Sequence, residues 1–157
     1  MIAINFWIGA CAGGAETPRA LPMEVLYSSL QCGDVAGPAV RPITDMAALR
    51  AAIAPGLIMD EPGRKDVVLP PPGDATLLRV DMGERPTAGY ALAVTRAERN
   101  ARRLVLHVEW EEPAPEAIVA QVVTSPCVII RLPPVTIDEV QVMDRSGRAR
   151  ISQRLTR

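Results

Sequence analysis

The chain has 157 residues, with 17 Lys and Arg against 18 Asp and Glu and a single His. That length suits one domain with its own core, and a hydrophobic content of 48% with ordinary charge argues against global disorder. The lack of a basic excess argues against duplex DNA binding, which needs Lys and Arg to displace counterions. No apolar run reaches the roughly 18 residues of a spanning helix, and a lone His excludes any site built on two. Aromatics are only 3% of the chain, so the core must be aliphatic. Pro 15 and Gly 11 fall in clusters such as Pro70-Pro71-Pro72-Gly73 and Pro133-Pro134, a punctuation that suits many short strands.

In chain order, the first ten residues carry no charge and run into Cys11. Ile8-Gly9-Ala10-Cys11 resembles the bacterial lipobox, in which the signal peptidase cuts before a cysteine that is joined to diacylglycerol. The resemblance implies lipidation at Cys11, with the small, polar stretch Ala12–Pro18 as a flexible tether. The segment departs from a full signal peptide in having no Lys or Arg before Arg19 and only ten residues before Cys11. The alternative is a frayed apolar end with a free thiol, which would leave the protein in the cytoplasm. With Cys11 lipidated, Cys32 and Cys127 remain as an even pair. Neither belongs to a C-x-x-C motif. They either form a disulfide, as export allows, or stay apart as buried thiols.

Met23, Val25 and Tyr27 alternate as in a strand, and a second strand is expected over Ala39–Ile43. Thr44 reads as the N-cap of a helix over Asp45–Ala54, with Met46, Leu49 and Ile53 on one face and Pro55-Gly56 as its end. Residues 55–74 read as loop, with an extended piece at Asp66–Leu69. From residue 75 the period becomes two. Strands are expected around Leu78/Val80/Met82, Tyr90/Leu92/Val94, Leu104/Leu106/Val108/Trp110, Ile118/Ala120/Val122, Val128/Ile130/Leu132 and Val140/Val142. The fold class is therefore mainly β, an antiparallel sandwich or small barrel of about six to eight strands with one short helix. The domain plan is a signal remnant at 1–10, a lipidated tether at 11–20, one β-rich domain at 21–144 and a basic tail at 145–157. That tail carries five arginines and no acid, and reads as a solvated end or a contact for anionic lipid.

Catalytic, metal and cofactor signals are weak. His107 lies on the polar face of its strand beside Glu109, with no nucleophile motif to serve. Glu109, Glu111, Glu112 and Glu116 form an acidic run that reads as a solvated strand end. No phosphate- or dinucleotide-binding pattern occurs. The reading is of no catalytic residue, no metal, no cofactor, no nucleic acid and no small-molecule substrate.

The central stretch Met82-Gly83-Glu84-Arg85-Pro86-Thr87-Ala88-Gly89-Tyr90 says more. Its glycines permit positive φ and Pro86 fixes its own, which favours a tight, defined loop between two strands. Three blocks in order, Gly83, Pro86, Thr87, Gly89 and Tyr90, then Pro113 and Pro115, then Gln121, Thr124, Ser125 and Pro126, resemble the PrcB C-terminal domain family over about residues 77–133. Ala88 replaces the first glycine of the family's Gly-Gly pair. Cys127 stands where an aromatic is usual, which supports its recruitment to pair with Cys32. The resemblance implies an extracytoplasmic, non-catalytic binding or assembly module for another envelope protein, a protease being one class of partner. It places the chain on a lipid anchor, at the outer membrane facing the periplasm. Gly83, Arg85, Pro86, Thr87, Gly89, Tyr90, Pro113, Pro115, Gln121 and Pro126 are then the recognition or structural loop residues. Pro86-Thr87-Ala88-Gly89-Tyr90 also resembles a loop of chagasin-type cysteine-protease inhibitors, which makes protease inhibition the alternative. Arg85 stands where that loop has Asn, and the other two inhibitor loops are missing.

Overall fold

The computed structural model describes residues 17–33, 35–59, 71 and 73–155. The extended piece expected at Asp66–Leu69 and the expected lipidation site Cys11 lie outside these residues. Among the described residues nine strands and one helix follow in order: β1 Arg19–Leu21, β2 Glu24–Ser29, β3 Ala39–Ile43, α1 Met46–Met59, β4 Thr76–Asp81, β5 Ala91–Asn100, β6 Arg103–Glu111, β7 Cys127–Leu132, β8 Glu139–Asp144 and β9 Ala149–Arg154. They form a five-stranded sheet, β1-β5-β6-β8-β9, and a four-stranded sheet, β2-β7-β4-β3. The protein is a β-sandwich with no closed barrel, as the sequence periodicity led us to expect.

Period-two alternation decides what each strand buries. Leu78 and Val80 of β4, Leu104, Leu106 and Val108 of β6, Val128 and Ile130 of β7 and Val142 of β8 meet between the sheets. The second face of the four-stranded sheet is covered too. Leu77 and Ile129 there pack with Tyr27, Leu49 and Ile53 beneath α1. Strand β4 is therefore buried on both faces and reads as a continuous apolar run interrupted by Arg79. Arg79 and Asp81 lie on that helix-facing side as a buried pair, with Arg79 Nε 2.8 Å from Asp81 Oδ1. The guanidinium also donates to the carbonyls of Ala52 in α1 and Cys32. Burial pushes the Asp81 carboxyl up in pKa, while Arg79 and Arg41 pull it down. Removing one partner of such a pair leaves an uncompensated buried charge, and the Arg79 bond to Ala52 ties helix to sheet.

Several local expectations are corrected. Asp45, not Thr44, caps α1. Its Oδ1 accepts the Ala48 N–H at 2.8 Å and its carbonyl accepts that of Leu49, and the Ala48 N–H holds the Asp45 carboxyl below the usual range. The helix also runs past Pro55-Gly56 to Met59. Pro55 cannot donate to the Ala51 carbonyl, but Ala51 lies on the exposed side, where solvent can satisfy that group. Met23, Val25 and Tyr27 do not share a face. A register shift between Val25 and Tyr27 turns Tyr27 under the helix and leaves Val25 exposed.

The strand expected at Ile118–Val122 is absent. Between β6 and β7 the chain must cross from one sheet to the other, so this segment runs over the sandwich end instead. The pairing is not all antiparallel either, since β6 and β8 pair in parallel. Finally, much of the segment read as a basic tail is β9, with Ile151 buried in the core. Its arginines are carried to opposite ends of the sheet. The Gln153 carboxamide accepts from Val40 N–H at 3.1 Å and donates to the Val40 carbonyl at 2.9 Å. One side chain thus imitates a strand and joins the edges β3 and β9.

Candidate functional site

The motif loop 82–90 and the crossover 112–126 lie together at one end of the sandwich. Their union is built from backbone bonds. Arg85 N–H donates to the Thr124 carbonyl at 2.7 Å and Thr124 N–H returns to Arg85 at 2.9 Å, an antiparallel bridge between two irregular segments. Ala88 N–H donates to the Ala120 carbonyl at 3.0 Å, and Met82 N–H to that of Pro126 at 2.9 Å. The buried Thr124 hydroxyl donates to the Thr87 carbonyl, while the Thr87 hydroxyl donates to Ala88. A third segment joins them. Glu84 N–H donates to Val35, Cys32 N–H to Ser125, and Gln31 Nε2 to the Val123 carbonyl.

Two glycines make this junction close. Gly83 has φ 80°, and a Cβ there would sit 2.6 Å from backbone atoms of Gly37. Gly89 has φ 91°, and its Cβ would meet Pro113 at 3.1 Å and Val119 at 3.3 Å. Both positions need the left-handed region that glycine enters without cost. The Cys32–Cys127 disulfide, with Cα atoms 5.9 Å apart, ties the third segment to the start of β7 beside this junction.

Beneath the loop, side chains stack. The Arg85 guanidinium lies 5.4 Å from the Tyr90 ring centre and 5.8 Å from that of Trp110, and Arg150 covers Trp110 at 5.4 Å. Such cation–π contacts are worth roughly 0.5–2 kcal/mol each. Arg85 Nη2 donates to the Met82 carbonyl, so the same side chain closes the turn from within. Glu112 accepts from both Trp110 Nε1 and Arg150, which also donates to Asp144. The Ser146 hydroxyl, with Arg150 next, holds the Asp144 carboxyl well below the usual carboxylate range.

The structure therefore gathers Gly83, Arg85, Thr87, Gly89, Tyr90, Pro113 and Pro126 into one packed unit and pairs Cys32 with Cys127. Pro86 is exposed on its rim, as are Pro115 and Gln121, whose amide donates only to the nearby Val119 carbonyl. Sequence reasoning missed Trp110 and Arg150 as members of the stack, and Gly37 as the surface on which Gly83 rests. His107 lies away from this end, on the outer sheet face, and meets Glu98 at 3.1 Å rather than Glu109. Glu109 pairs with Arg145 instead.

The unit displays apolar surface. Ile118 is fully exposed, and Val122, Val123 and Leu30 remain about half exposed. From Ala117 to Ile130 the chain has no charged residue. A carbonyl-bonded crossover carrying uncharged side chains outward is suited to contact with another protein surface.

Residues 76–133 match the family described as PrcB C-terminal, the family that the three sequence blocks resemble. The match runs from the first residue of β4 to just past β7, so it takes two strands from each sheet together with the loop and the crossover. No curated protein and no solved structure matches the chain.

Proposed function

Proceeding from the PrcB C-terminal segment at residues 76–133, we propose that this protein is a non-catalytic envelope lipoprotein that binds or helps to assemble another extracytoplasmic protein, with proteases as one class of partner. Cys11 is the lipidation site in this reading. The contact surface is the end formed by loop 82–90 and crossover 112–126. The observation that supports it most is the pairing of exposure with rigidity. Ile118, Val122 and Val123 stand out from a backbone that Arg85, Ala88 and Gln31 hold in place. A surface ordered before binding loses less entropy on contact than a free loop.

Affinity capture from an envelope extract tests the reading. Wild type should retain a discrete protein that Ile118→Asp/Val122→Asp does not, with unchanged melting temperature. Equal capture by both would refute the assigned surface. Inhibition of a papain-like protease at micromolar concentration would instead favour the chagasin-like alternative. Metabolic labelling with a radioactive fatty acid tests the anchor, and absence of label on the protein expressed from its native gene would refute it.

A further inference from the structure

The end of the sandwich opposite the loop unit is basic, and the chain enters the described fold there. Strand β1 pairs with the far end of β5, Arg19 opposite Arg99. The β5–β6 turn at Ala101-Arg102 and the end of β9, where Arg154 is opposite Glu139, lie beside it. Two adjoining depressions, both bordered by Ala101, take their walls from Arg19, Arg99, Arg102, Arg103 and Arg154. Their carboxylates are Asp138 and Glu139, which pair with Arg102 and Arg103. Five arginines against two acids give a local charge of +3 in a chain whose formal net charge is −1. Arg19, Arg99 and Arg154 make no ion pair among the described residues, and all three are exposed. At the other end the sign reverses, for the crossover carries Glu111, Glu112 and Glu116 with no basic residue between 111 and 126.

From this polarity we infer that the Arg19–Arg99–Arg154 end is a docking surface for an anionic lipid bilayer, set flat against the membrane by the tether that enters at Thr17. The orientation deepens the reading of an anchored module. Cys11 precedes Thr17 by only six positions, so an acyl chain there holds the basic end within reach of headgroups. Arginines near an anionic surface each strengthen binding by about fivefold, within a Debye length of roughly 10 Å. The ten residues of β5 span about 30 Å, which holds the Ile118 surface away from the bilayer and facing outward. One short charged end thus sets the direction in which the contact surface is presented.

The test uses the full chain with Cys11→Ala, which cannot be acylated, and sedimentation with vesicles. Vesicles of phosphatidylglycerol and phosphatidylcholine should bind it more tightly than vesicles of phosphatidylcholine alone, and added salt should remove the difference. Arg19→Gln/Arg99→Gln/Arg154→Gln should lower the affinity for anionic vesicles by about a hundredfold and leave neutral vesicles unaffected. Arg19→Gln/Arg154→Gln, at two side chains without a hydrogen bond or ion pair among the described residues, should still lower it about twenty-five-fold if the triple variant folds poorly. Arg145→Gln/Arg148→Gln at the loop end should change it less than twofold. Equal binding to both vesicle types, or equal losses from the two ends, would overturn the inference. So would charge-dependent binding to polyglutamate without binding to anionic vesicles, which would assign the end to an acidic protein. Failure here leaves the tether standing if Cys11 of wild type takes up fatty acid, and failure of that label leaves the vesicle result intact.

Discussion

The two ends of the sandwich solve the same problem in different ways. At the basic end β5 and β6 are joined by the shortest of hairpins, Ala101-Arg102, and charged side chains face solvent. At the loop end three irregular segments meet, two of which cross between sheets, and they satisfy one another through backbone bonds, two close glycines, a stacked arginine and a disulfide. A tight turn needs little from its neighbours. Long segments over a sandwich end carry many backbone groups that must find partners, so their stability is cooperative and their residue choices are narrow. Changes at the loop end should therefore cost far more than similar changes at the basic end.

The largest effect is expected at the disulfide, which closes a loop of 95 residues. Cys32→Ser/Cys127→Ser should lose about 2–5 kcal/mol of unfolding free energy in denaturant titration. Gly83→Ala comes next. It meets Gly37 backbone at 2.6 Å and keeps a φ of 80°, so a loss of about 3 kcal/mol or more is expected. Gly147→Ala is its control, with φ 82° and nothing within 4 Å. It should cost only about 1–2 kcal/mol. Equal losses at the two glycines would show that the junction is looser than its geometry states. Thr124→Val removes the hydroxyl that Thr87 accepts and should cost about 1–2 kcal/mol.

At the basic end the sign reverses. Ala101 has φ 52° in a two-residue turn, a position that prefers glycine, so Ala101→Gly should stabilise by about 1 kcal/mol. The smallest effect is pH-dependent. Asp144 has its pKa lowered by Ser146 and Arg150, so its contribution is present above the ordinary aspartate range of about 4 and is lost as pH falls below it. The stability difference between wild type and Asp144→Asn should hold constant above about pH 5 and shrink below about pH 4. A difference that grows on acidification would contradict the assignment.

Strand periodicity made the sandwich legible. Val40, Leu78, Val80, Leu104, Leu106, Val108, Val140 and Val142 alternate in the sequence and meet in the core. The loop motif was legible because Gly83, Pro86 and Gly89 each have a backbone reason to be there. Periodicity misled at Ile118–Val122, since alternating apolar residues also suit an extended crossover whose partners are loops rather than strands. Trp110 was legible as a core-facing strand residue, but its stack with Arg85 and Arg150 joins positions far apart in the chain, and no local pattern records that. Gly37 lies in a stretch with no period at all. The functional surface was least legible, because exposed Ile118, Val122 and Val123 are indistinguishable in sequence from core residues.

Site-specific photo-crosslinking in living cells tests the central claim most directly. With a photoreactive phenylalanine at Ile118 or Val122, a discrete protein adduct is expected, whereas the same group at His107 on the outer sheet face should give none. No adduct from the crossover, or the same adducts from both faces, would contradict a binding module that works through its loop end.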